Sequence, residues 1–119
     1  MDTTVIDPEA IAGLRALNPD DNDEFLREIV GIFLEDTPAR IAELDQSLAD
    51  ADTPRFVRAA HSIKGSSANL GATQLRHAAE QLERHGRDRG LADTAPLITS
   101  IKSEFARARQ ELAALVGSA

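Results

Sequence analysis

Apolar residues in this chain recur every three or four positions and in no stretch every second one, a spacing that predicts helix and gives no sign of strand. Asp7-Pro8-Glu9 opens a short helix over about residues 8–17, with Asp as cap, Pro at the first position and an acid in the first turn. Ile11, Leu14 and Leu17 form its stripe, and Asn18-Pro19 stops it. Asp21-Asn22-Asp23-Glu24 starts a second helix, in which Phe25, Ile29, Ile32 and Phe33 recur, followed by Ile41, Leu44 and Leu48. Pro38 lies between these two sets and predicts a kink or a break, because it lacks a backbone donor and clashes with the preceding turn. Periodicity resumes beyond it, which favours one long bent helix over two. Thr53-Pro54 opens a third helix that ends near Asn69-Leu70-Gly71, where glycine can take the left-handed cap. A fourth runs from about Ala72 to Arg89 with Leu75, Ala78, Ala79 and Leu82 as its stripe, and Gly86 and Gly90 read as its fraying end. The fifth begins near Thr94-Ala95-Pro96 and reaches about Val116 through Leu97, Ile98, Ile101, Phe105, Ala108, Leu112 and Leu115. Four longer helices with short connections predict an all-α fold: an antiparallel four-helix bundle over about residues 21–116, with the short additional N-terminal helix closing one end.

Composition narrows the classes of function. At 119 residues the chain is expected to be a single domain, residues 1–119. With 42% hydrophobic and 28% charged residues it is too apolar to be disordered. Thirteen Lys+Arg face twenty Asp+Glu, a formal charge of −7, which argues against nucleic-acid binding and against docking on an anionic membrane. No cysteine is present, so disulfides, thiolate metal sites and cysteine catalysis are excluded. Trp and Tyr are absent and Phe numbers only 4, so the core must be aliphatic. The longest apolar run, near Ile29–Leu34, is broken by Gly31 and falls far short of the ~20 residues a bilayer requires. Met1-Asp2-Thr3-Thr4 has none of the features of a signal peptide, and a cytoplasmic protein is expected. The initiating Met and the complete set of helices favour a free-standing protein. A monomer is expected, because the apolar stripes can close on one another.

The third helix carries the candidate chemistry. Phe56, Ala60, Ile63 and Ser67 define its apolar face, and at ~100° per residue His61 lies roughly 125° from the centre of that face. A core histidine would fall within the stripe, whereas this one should meet solvent. Val57, Lys64, Gly65 and Ala68 surround it at i−4, i+3, i+4 and i+7. Gly65 inside a helix costs ~1 kcal/mol relative to Ala. Its value would lie in removing bulk where something large approaches the imidazole. Lys64, one turn away, favours an anionic group on the ring, and a phosphoryl group is the obvious candidate. Histidine is a nitrogen nucleophile usable near neutral pH. His77 and His85 have no supporting neighbours and read as ordinary surface residues. The three histidines do not have metal-ligand spacing, so no metal site is expected.

These residues resemble a known signature. The stretch from Ala60 to Ala72, Ala-His-Ser-Ile-Lys-Gly-Ser-Ser-Ala-Asn-Leu-Gly-Ala, resembles that of histidine-containing phosphotransfer (HPt) domains. The likeness continues through Leu75, Ala79 and Leu82-Glu83, and upstream through Phe25–Val30 and Phe33–Pro38, roughly residues 20 to 85 in all. The resemblance implies a phosphorelay intermediate: His61 accepts a phosphoryl group from a receiver-domain aspartate and passes it to another. By the same likeness Lys64 helps hold the phosphoryl oxygens and Gly65 leaves room for the receiver, with Val57 and Ala68 on the same partner-binding face. Ser66 and Ser67 fall on the family's small polar positions, although the helical wheel turns Ser67 inward. Glu83 falls on the family's position beside the histidine. Its place in the hairpin agrees, since His61 is ten residues before Gly71 and Glu83 twelve after it. A carboxylate there can bond one ring nitrogen and leave the other as nucleophile; alternatively Glu83 pairs only with Arg84, Arg87 or Lys64. The implied partners are receiver domains of response regulators and hybrid histidine kinases. They supply the acidic pocket and Mg²⁺, so no cofactor is expected on this chain. No Gly-x-x-x-x-Gly-Lys loop or Gly-rich kinase site is present, so a phosphocarrier is expected and not an ATP-using enzyme.

Three other readings compete. In the phosphoacceptor domain of a sensor histidine kinase, an acidic residue follows the histidine and a proline comes soon after. Here Ser62 follows and the next proline is Pro96. A helical adaptor that binds receivers without phosphotransfer would have no call for His61, Lys64 and Gly65 together. A receiver-directed phosphatase or inhibitor is separable from a carrier by a labelled-phosphate chase.

Overall fold

The computed structural model describes residues 4–117; Met1, Asp2 and Thr3 of the N-terminal reading, like Ser118 and Ala119, lie outside them. Five helices follow one another: α1 (Pro8–Leu17), α2 (Glu24–Ala49), α3 (Thr53–Asn69), α4 (Thr73–Arg89) and α5 (Ala95–Leu115), with no strand among the described residues. The helix starts follow local capping chemistry. The Asp7 side chain accepts from the Glu9 amide, and the Asp52 side chain accepts from the Arg55 amide. At α2 the capping carboxylate is Asp21, which takes the Phe25 amide at 2.9 Å, while Asp23 adopts a left-handed conformation and pairs with Arg15.

Helix α3 packs on both α2 and α4, α5 packs on α4 and α2, and α1 rests on α2. One continuous core results, with Phe56, Leu26, Leu44, Ile63, Leu75, Leu82, Ile101 and Leu112 almost fully buried. It is aliphatic as composition requires, and Phe33 and Phe105 form an aromatic pair with ring centroids 5.8 Å apart. None of the described helices is long and apolar enough to cross a membrane.

Three expectations need correction, and Pro38 is not among them: α2 is continuous from Glu24 to Ala49, the one long helix that the periodicity favours. The proline lies on the exposed side, where it removes one hydrogen bond and the orphaned carbonyl can turn to water. The buried face of α2 is Leu26, Val30, Phe33, Thr37, Leu44 and Ser47, so Phe25 and Ile29 are only half-buried and Ile32 is 59% exposed. Leu17 in α1 is likewise exposed. Gly86 does not mark a fraying end. It is a buried residue of α4, and a Cβ there would stand 3.0 Å from Val57 Cγ2 and 3.4 Å from Phe56 Cδ1. Its missing side chain is what brings α4 close against α3.

The α3–α4 turn fixes how the two helices that carry the site are placed. Gly71 takes φ +69°, its amide bonds Ala68 O, and the next amide, Ala72, bonds Ser67 O. This is a left-handed glycine cap in which both bonds reach back to carbonyls that the helix end would leave open.

Candidate functional site

His61 projects from the outer face of α3 with 62% of its side chain exposed, as the wheel requires. Phe56, Ala59, Ala60, Ile63 and Ser67 hold the opposite face in the core, so rotation of the helix is fixed by packing. Across the α3–α4 hairpin, Glu83 brings a carboxylate under the imidazole. His61 Nδ1 bonds Glu83 Oε2 at 2.9 Å, joining residues 22 apart in sequence. Lys64 Nζ meets Glu83 Oε1 at 2.8 Å, and an Arg87 terminal nitrogen meets Oε2 at 2.8 Å. Glu83 thus bonds the imidazole and pairs with Lys64 and Arg87 at once. Arg84 is engaged elsewhere, with Glu80.

Glu83 is nearly inaccessible, with 4% of its side chain exposed. Burial pushes its pKa up. Hydrogen bonds from Lys64 and His61, together with their charge, pull it down further, so the carboxyl lies below its ordinary value. Arg87, although close, has its side chain 61% exposed, and solvent weakens its pull. An ionised carboxylate only accepts hydrogen bonds, so Nδ1 carries a proton, and in the neutral ring Nε2 is the nitrogen left with the lone pair.

Gly65, Val57 and Ala68, predicted for the same face, differ in exposure. Gly65 is exposed, and a Cβ placed on it meets nothing within 4 Å. Val57 is half-buried at the α3–α4 seam and Ala68 is exposed one turn beyond Gly65. Ser66 and Ser67 turn their hydroxyls back to the carbonyls of Ser62 and Ile63, and Ser67 is fully buried, so both serve the helix itself. Arg87 entered the sequence reading only as one of three alternative partners of Glu83, and the structure pairs it with that carboxylate. The available signal was its i+4 spacing from Glu83, where an acid followed by a base supports a pair. A groove of about 250 Å³ is lined by Lys64, Glu80, Glu83, Arg84, Arg87 and Asp88. His77 is exposed, as expected. His85 is more than a surface residue, since its Nε2 donates to Ala92 O at 2.6 Å and ties α4 to the turn before α5. Among the described residues no group of three or more His, Asp or Glu side chains is arranged to hold a metal ion.

Comparison with known proteins agrees with the geometry. The model of the Hpt domain family matches residues 28–115. Multistep phosphorelay regulator 1 of Schizosaccharomyces pombe is 33% identical over 85 residues, which cover 71% of this chain and 29% of that protein. Histidine-containing phosphotransfer protein 1 of Oryza sativa subsp. japonica is 26% identical over 95 residues, 78% of this chain and 65% of the rice protein. Among solved structures, histidine-containing phosphotransfer protein B (HptB) from Pseudomonas aeruginosa PAO1 superposes with a TM-score of 0.86 at 28% identity, covering 99% of both chains. The chain belongs to the Hpt domain family. It spans less than a third of the length of the fission-yeast relative and just under two thirds of the rice one.

Proposed function

We propose that this chain is a single HPt domain, its four long helices arranged as an antiparallel bundle, that carries phosphoryl groups in two-component signalling. His61 is the phosphoacceptor. The observation that carries the reading is the hydrogen bond from exposed His61 to buried Glu83, which fixes the proton on Nδ1 and frees Nε2. Nε2 attacks the phosphorus of an aspartyl phosphate on a receiver domain. An N–P bond forms, the P–O bond to the aspartate breaks, and the electron pair leaves with the carboxylate. The ring keeps its Nδ1 proton, so it becomes a phosphorylated imidazolium whose positive charge faces Glu83. Reversal onto a second receiver returns the imidazole to its starting state.

Such transfer depends on in-line positioning and on charge neutralisation. Lys64 and Glu83 supply the local charge balance, while Val57, Gly65 and Ala68 form the surface on which the receiver rests. The partners are receiver domains of response regulators and hybrid histidine kinases, and Mg²⁺ comes with them, so the reading assigns no cofactor to this chain. It is a carrier without an ATP site, monomeric and cytoplasmic.

Mixing the protein with a phosphorylated receiver tests this reading. Label should appear on the chain in acid-labile, base-stable form. His61→Gln should abolish it while leaving helicity intact. Continued labelling of that variant through His77 or His85 overturns the assignment.

A further inference from the structure

Three donors converge on the Glu83 carboxylate, and they are held unequally. Lys64 alone occupies Oε1, and its side chain is 30% exposed. His61 Nδ1 and Arg87 share Oε2, and Arg87 reaches it from solvent with 61% of its side chain exposed. When His61 Nε2 carries a phosphoryl group, a second anion with ~1.5–2 negative charges arrives beside the first. Two anions then compete for Lys64 and Arg87.

Of the three ties, Arg87's is the least costly to give up. Its head is already hydrated, and Oε2 keeps the Nδ1–H bond when the guanidinium leaves. Lys64 remains on Oε1 as counter-charge to a buried carboxylate that cannot be left unpaired. The guanidinium fork also suits phosphoryl oxygens, since it can present two parallel N–H donors to them. Arg87 and His61 Nδ1 meet the same oxygen, at 2.8 and 2.9 Å, so the move from the carboxylate to a group on the ring is short.

Building on the reading of His61 as phosphoacceptor, we propose that Arg87 is a phosphoryl-binding residue held in reserve on Glu83. It turns from the carboxylate to the phosphoryl oxygens once His61 is phosphorylated. Glu83, by drawing Arg87 back, sets how readily the group is given up. Arg87 touches the transferred group, whereas Glu83 acts through Arg87 and through the imidazole.

The test measures phosphohistidine lifetime and the equilibrium division of phosphate with a receiver, in the wild type and in Arg87→Ala, Arg87→Lys, Glu83→Gln and Glu83→Gln/Arg87→Ala. Phosphoramidate serves as a receiver-independent donor: His61 Nε2 forms the N–P bond and ammonia leaves. Arg87→Ala should shorten the lifetime and shift phosphate toward the receiver by roughly three- to fivefold, with Arg87→Lys in between. Glu83→Gln keeps an oxygen acceptor for Nδ1–H but frees the cations, so it should lengthen the lifetime. That gain should shrink by at least about threefold when residue 87 is Ala, which is the coupling a shared role demands. Circular dichroism confirms that each variant is folded. Equal lifetimes for wild type and Arg87→Ala, or a Glu83→Gln effect indifferent to residue 87, overturn the proposal and leave the His61 assignment standing. Absence of label on the wild type with both donors overturns that assignment and this proposal with it.

Discussion

Two glycines inside helices do opposite things, and only their surroundings tell them apart. Gly65, one turn from His61, leaves open space where a Cβ would be. The fold therefore does not need it, and a helix interior prefers Ala by ~1 kcal/mol. Gly65→Ala should raise the stability of the free protein by about that amount in urea unfolding. Gly65→Gln should also fold, since its side chain points to water. The added bulk should nevertheless slow transfer from a receiver by roughly tenfold or more, because in-line attack tolerates little misplacement. A Gly65→Gln variant that transfers at the wild-type rate would remove the argument that this glycine clears a path. Glu83 was legible for a related reason. The register of an antiparallel hairpin can be counted outward from Gly71, and that count places residue 83 beside residue 61. Arg87 was legible only as one of three alternative partners, because one carboxylate with several basic residues within reach does not reveal from sequence how many it holds at once.

Helix boundaries were readable because capping is local chemistry. Asp7, Asp52 and Gly71 each act within a few residues of themselves, and α1, α3 and α4 begin or end where they should. The buried face of α2 was not readable. Phe25, Leu26, Ile29, Val30, Ile32 and Phe33 cover too wide an arc for a period of 3.6 to single out one centre, and tertiary packing chose Leu26, Val30 and Phe33. Gly86 failed for a similar reason, since a glycine near a helix end reads as a stop until the neighbouring helix is seen against it. Its role can be measured. Gly86→Ala gains helix propensity but presses on Val57 Cγ2 at 3.0 Å. Val57 is half-buried and can yield a few tenths of an ångström, so the two effects should nearly cancel, leaving a change within about 1 kcal/mol. Gly86→Val adds branched bulk between Phe56 and Val57 and should destabilise by about 1–3 kcal/mol in the same assay. Stability unchanged by valine would mean that α3 and α4 do not depend on this close approach.

The short N-terminal helix is joined to the α3–α4 hairpin at its turn, remote from the chemistry. The Asp7 amide donates to Gly71 O at 2.8 Å, and a Cβ on Gly71 would stand 2.6 Å from Ala10 Cβ and 3.0 Å from Asp7 Cβ. Neither Cβ is the end of a flexible chain, so Gly71→Ala must push α1 away as well as strain a residue at φ +69°. The left-handed conformation alone costs about 1–2 kcal/mol for a non-glycine residue. The collision adds a comparable amount, for a total of about 2–4 kcal/mol. Gly90 separates the two contributions. It also has positive φ, +76°, but its Cβ would meet nothing within 4 Å, so Gly90→Ala should show only the strain. Urea unfolding should therefore rank Gly71→Ala below Gly90→Ala, and amide exchange over Pro8–Leu17 should accelerate in the first variant alone. His61 and Glu83 stand ten and twelve residues from this turn, roughly 15–18 Å along their helices. Labelling of Gly71→Ala by phosphoramidate should therefore proceed as in the wild type wherever the protein remains folded. Faster exchange in α1 together with undiminished labelling would establish α1 as an end-piece that stabilises the hairpin without shaping the site. Loss of labelling in the folded variant would instead tie α1 to the geometry around His61.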